Sequence, residues 1–188
     1  MSHHDYADDT QILETFHPSE LNESLQRFGD CPLDIKSRMT TIMFKVNDTK
    51  TEALLVGTRQ HLSKVDVVTL KDADADICPS DVVRNLGVHT DSSLTFNAHV
   101  NQVNKACFFH PGLISNIRQY LTSAATQALV RALVAPRLDY CNSVLSSINS
   151  NLIEKLQRIQ NTSARFISRI SKRAHITPVL IELHWLPV

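Results

Sequence analysis

The stretch from Ser150 to Arg173 constrains the fold most. At about 100° per residue, Leu152, Leu156, Ile159, Phe166, Ile167 and Ile170 share one broad face. Lys155, Arg158, Arg165, Arg169 and Lys172 fall within about 100° of one another on a second face. The pattern predicts an amphipathic helix capped by Ser150 and running to about Arg173. Its apolar stripe needs a protein surface to pack on, and its basic stripe meets solvent or phosphate. Helical patterning starts much earlier, just after Leu94. Phe96 to Tyr120 reads as one helix that Pro111-Gly112 should break or kink. Thr122 or Ser123 caps the next helix, which carries Leu129, Leu133 and Tyr140 and is kinked by Pro136. Residues 96–188 are therefore read as all-helical.

Residues 1–95 follow a different period. The chain opens as strand, turn, strand, with Tyr6 to Asp9 at the turn. Ser19 is placed to cap a short helix with Leu21, Leu25 and Phe28 on one face, ended by Gly29-Asp30-Cys31-Pro32. A second helix carries Ile35, Met39 and Ile42. Phe44 to Val46 and Glu52 to Val56 read as strands joined by a turn at Asn47 to Lys50. Val65 to Leu70 is a further β-rich run, and Asp72 to Ser80 an acidic loop. Val82 to Val88 reads as a strand with Gly87 as a bulge or point of close approach. The class is α+β: a mixed half, then an all-helical half.

The two halves also differ in charge, although the net charge is zero. Residues 1–95 hold nine Lys/Arg and sixteen Asp/Glu, a balance of −7; residues 96–188 hold ten and three, a balance of +7. A basic half is a candidate for phosphate backbones, and equally a solvated basic surface. No run approaches the roughly 18 apolar residues of a membrane helix. The polar, acidic start does not read as a secretory signal, so an intracellular protein, nuclear or cytoplasmic, is expected. Cys31, Cys78, Cys107 and Cys141 form no CxxC and are read as reduced thiols. The nine histidines show no paired metal spacing and are read as surface or hydrogen-bonded core residues.

Chemistry concentrates at Tyr6-Ala7-Asp8-Asp9. Two adjacent carboxylates on a tight turn offer hard oxygen ligands to Mg²⁺, although an isolated Asp-Asp pair is most often only a turn. Other stretches give it context. Lys45 to Glu52 contains Lys50-Thr51, and Val83 to Val88 is followed by Asp91 and Leu94. Ser115 to Leu121, Arg137 to Ser143, Lys155 to Asn161 and His175 to Pro187 come next in order. This series resembles, over essentially the whole chain, the reverse transcriptase of non-LTR (LINE-type) retrotransposons from its catalytic hairpin onwards.

The resemblance implies part of a polymerase palm, antiparallel hairpins with helices, over 1–95. A helical thumb and the start of a following segment would occupy 96–188. It implies RNA-templated DNA synthesis by two-Mg²⁺ phosphoryl transfer, with an RNA template and a DNA primer as partners. Asp8 would be the principal metal ligand and Asp9 the supporting one, with Tyr6 beside the primer end. Lys50 would lie near the incoming triphosphate; the plain alternative is a solvated turn lysine. Leu86 and Gly87 would approach the primer backbone. Lys155, Arg158, Arg165, Arg169 and Lys172 would track the duplex by charge and shape rather than by base sequence.

Departures from the family pattern set further expectations. The family's site takes another Asp from an earlier palm strand and relies on fingers, yet five residues precede Tyr6 here. The chain alone is expected to bind Mg²⁺ weakly, not to polymerise, and to self-associate through an exposed palm edge. Pro111-Gly112 stands where the family continues a helix, and Arg38 where relatives place a tryptophan. Two alternatives follow: a non-catalytic nucleic-acid-binding remnant in which Asp8 and Asp9 are vestigial, or a translated relic without a selected function.

Overall fold

Antiparallel pairing starts with the second residue. Strands β1 (Ser2–Tyr6) and β2 (Asp9–Leu13) pair from Ser2 opposite Leu13 to Tyr6 opposite Asp9, with Ala7 in the turn that follows β1. Ala7 has a φ of 55°, the left-handed conformation such a turn demands. The computed structural model describes residues 1–7, 9–41, 47, 50–65, 69–72, 75–186 and 188. The Asp8 position and the strand expected at Phe44–Val46 lie outside them. The described chain is mixed α and β and divides into two compact units, Met1–Val83 and Arg84–Val188.

In the first unit, His17 rather than Ser19 caps the turn that starts the helical segment. Its side chain accepts from the Ser19 N–H, and Glu20 reaches back to the His17 N–H. Helix α1 then runs unbroken from Leu21 to Thr41, through the Gly29–Pro32 stretch expected to split it. The reason is phase. Leu21, Leu25, Phe28, Ile35 and Met39 are all half-buried, and the seven residues from Phe28 to Ile35 are two full turns. One continuous helix keeps them on one stripe, whereas a break would scatter them. Arg27 ties α1 to Glu14 at 3.0 Å. Helix α2 (Arg59–Leu62) is one turn, capped by the Thr58 hydroxyl.

Two strand expectations change here. Residues 51–58 are not a strand, although the Ala53 carbonyl accepts the Ser80 N–H at 2.8 Å. The stretch expected as an acidic loop contains a short hairpin, β3 (Leu70–Asp72) with β4 (Ala75–Ile77). β3 runs beside α1. Of the β-rich run read at Val65–Leu70, residues 66–68 lie outside the described residues, and Leu70 begins β3.

The second unit opens on another hairpin. Val82 to Val88 is not one bulged strand: β5 (Val82–Asn85) turns at Leu86-Gly87 into β6 (Val88–Asp91). Both turn residues have positive φ, 45° and 85°, which matches the right-handed twist of paired strands. Helix α3 (Asn97–Ser115) passes through Pro111-Gly112 without ending, contrary to the expected break. Val100, Cys107 and Ile114 repeat every seven residues and are buried, so one face stays in register along the whole helix. α3 stops at Ser115, before the expected Tyr120.

Thr122 caps α4 (Ser123–Leu133) through its hydroxyl, as read. Pro136 does not kink that helix; it sits in the first turn of a new one, α5 (Ala135–Asp139), where its missing N–H costs nothing. The buried face is Thr126, Val130, Val134 and Leu138, so Leu129 and Leu133 are only half-buried and Tyr140 is exposed. Asn149 rather than Ser150 caps α6 (Ser150–Ser168). Short α7 (Thr177–Glu182) adds Val179 and Leu180 to the core. Leu152, Leu156, Ile159 and Ile167 of α6 form the centre of that core, with Phe166 and Ile170 against it. No helix among the described residues is long and apolar enough to cross a membrane.

Candidate nucleic-acid interface

The β1–β2 turn presents the aromatic and acidic residues at its tip. Tyr6 is 68% exposed and faces Asp9 across the hairpin; Asp9 is exposed too. Mg²⁺ requires about six oxygens in octahedral array. Among the described residues no three His, Cys, Asp or Glu side chains come together as a metal-holding group, and the described residues do not by themselves fit a two-metal centre. Lys50 is exposed, and its N–H closes a turn onto the Asn47 carbonyl at 3.0 Å, so the turn read at 47–50 exists.

Leu86 and Gly87 are positioned by Tyr140. Its hydroxyl donates to the Leu86 carbonyl, and its ring lies against Gly87, where an added Cβ would meet Cε1 at 3.6 Å. A non-glycine residue with positive φ, as at Leu86, is held only where its surroundings over-determine it, and this hydrogen bond is one such constraint.

The basic residues do not form one stripe. Helix α6 ends at Ser168, with Arg169 left-handed at φ 54°, so Arg169 and Lys172 lie beyond it rather than on it. The cause is Arg118. It donates to the Phe166 carbonyl at 3.5 Å, to Ile167 at 2.9 Å and to Leu121 at 3.0 Å, and lies 5.9 Å from the Phe166 ring centroid. The bonds to Phe166 and Ile167 occupy carbonyls that another helical turn would have used. Arg169 in turn donates to the Arg118 carbonyl at 3.1 Å. Arg118 and Arg169 flank an open groove that also touches Thr122 and Ser123 at the start of α4.

On α6, Lys155 binds Asn101 at 3.0 Å and Arg158 pairs with Glu154 at 3.7 Å. Arg165 is half-buried, with Nη1 enclosed and without a hydrogen-bond partner among the described residues. Lys172 is exposed. Sequence reasoning missed Arg118, Tyr140 and a histidine pair. The side chains of His89 on β6 and His99 on α3 stack with ring centroids 6.2 Å apart. Neither is fully satisfied: His89 Nδ1 and His99 Nε2 are buried without a hydrogen-bond partner among the described residues. Only the apolar neighbours of His99, Phe96 and Val100, hinted at its burial. Cys107 is a buried thiol, pushed up to about 11 by burial against a smaller opposing effect of Arg137, and behaves as a small apolar core residue.

Comparison with family models, with curated proteins and with solved structures finds no match to this chain.

Proposed function

We propose that this chain is the catalytic-hairpin and thumb portion of a LINE-type reverse transcriptase. Its own residues hold an RNA–DNA duplex through charge and shape. The observation that carries the reading is the tight β1–β2 hairpin, with exposed Tyr6 opposite Asp9 at its tip, in the motif order read from the sequence. The exposed Leu86 turn and the exposed cations Arg158, Arg169 and Lys172 support contact with a polynucleotide backbone. Mg²⁺ would bind at Asp8 and Asp9, weakly, because two carboxylates leave most of its coordination to water.

A binding remnant without catalysis is the second reading. It is favoured by the first unit, where no large apolar side chain is fully buried among the described residues, so nothing there holds carboxylates with catalytic precision.

Titration of an RNA–DNA duplex between about 50 and 200 mM salt tests the binding. Each phosphate neutralised adds roughly 0.7–0.9 to the log–log slope. Affinity is expected to fall steeply, and salt-independent or absent binding overturns both readings. Template–primer extension with Mg²⁺ separates them. No incorporation is expected from the chain alone; incorporation abolished by Asp8→Ala would establish an intact catalytic site and exclude the remnant.

A further inference from the structure

We infer that His99, stacked on His89, forms a proton-sensitive latch, which holds β6 against α3 while the His99 imidazole is neutral and releases it when that ring is protonated. The inference stands apart from the nucleic-acid reading.

The geometry selects the neutral form. The His89 backbone N–H points at His99 Nδ1, 3.4 Å away, so that nitrogen must carry a lone pair. The proton of a neutral His99 then sits on Nε2. His99 is 4% exposed. A second proton would place a donor at Nδ1 against the His89 N–H and a full charge where water is excluded. It would also set that charge 6.2 Å from the centre of the stacked His89 ring. Burial and the His89 charge accordingly lower the His99 pKa below its ordinary 6.5.

No carboxylate on the elements packed against α3 rescues the charge. On β6, Asp91 is engaged by the N–H groups of Ser93 and Thr95 and by the Thr95 hydroxyl. On α6, Glu154 is exposed and pairs with Arg158. Asp139 on α5 is exposed. The remaining charges on these elements are cations, which offer no counter-charge: Arg84 on β5, Lys105 on α3, Arg118 in the turn after α3, and Arg131 on α4. Arg137 on α5 and Lys155, Arg158 and Arg165 on α6 complete the set. The Cys107 thiol is neutral, and His110 lies three turns along α3.

The sign follows. Above pH 6.5 both the latched and released forms are neutral, and the latch is fully present. As pH falls below 6.5 the released form gains a proton that the latched form resists, so release becomes easier. Amide exchange of the full chain, corrected for intrinsic rates, measures it. Between pH 7.5 and 5.5 opening at Val88–Asp91 is expected to rise about tenfold while α6 amides stay unchanged. His99→Asn keeps an acceptor near the Nδ1 position and does not titrate there; it should reduce that rise to less than about threefold. An unchanged rise in the variant, or none in the wild type, overturns the latch. Should the variant lose α6 protection, the His99 ring titration followed by NMR in the wild type decides. A midpoint below 6.5 supports the latch, and one at or above it overturns it.

Discussion

Residues 1–83 and 84–188 are built to different standards. Every residue of the apolar core cluster, from Val100 to Leu183, lies in the second unit. The first unit buries only Ser24 among its described residues and relies on two small hairpins and a half-buried helix. Burial is the dominant favourable term in folding, so the basic unit carries its own stability and the acidic unit has much less to draw on. An isolated two-stranded hairpin is marginal in water, and the acidic tip at Tyr6–Asp9 sits on one.

The largest expected effect separates the two units directly. Ile159→Ala in α6, at 1% exposure, should cost about 2–5 kcal/mol by urea unfolding. Leu25→Ala on half-buried α1 should cost less than half as much. Equal losses would erase the contrast.

Next comes the α6 terminus. Arg118→Ala strands the Phe166, Ile167 and Leu121 carbonyls and should cost about 1–3 kcal/mol. Faster exchange would appear in the last turn of α6 and none in the first unit.

A smaller effect is expected from Tyr140→Phe, about 1 kcal/mol, with faster exchange confined to the Leu86–Val88 amides.

The smallest concerns Asp91. Burial pushes its carboxyl up, but hydrogen bonds from Thr95, Phe96 and Ser93 outweigh this and leave it below the ordinary 3.8. Its contribution is present above pH 3.8 and is lost as pH falls through the lowered folded value. The stability difference between the wild type and Asp91→Asn should therefore be constant near neutrality and shrink only in strong acid. This window is distinct from that of His99, which opens below 6.5.

Much of this was legible in advance where the signal was periodic. The apolar stripe of α6 was read directly, and so were a cap at Thr122 or Ser123 and the turn between the first two strands. Gly29–Pro32 and Pro111-Gly112 misled because a breaker was weighed alone, without asking whether the apolar residues on either side were in phase. The candidate site was legible as motifs but not as geometry. Leu86-Gly87 was seen as a point of close approach, yet its support comes from Tyr140, 54 residues away. His89 and His99 fall on different elements, and no spacing rule joins a strand residue to a helix residue across a loop.

The amino-acid order by itself determined which segments are amphipathic and where the charge reverses. Those properties follow from local periodicity and composition. Tertiary structure alone decided that α6 stops at Ser168, that the Leu86 turn is hooked by Tyr140, and that His89 and His99 stack across β6 and α3. Each of these depends on a group distant in sequence occupying a carbonyl, a ring face or a volume. Such choices are settled by packing, after local preference has had its say.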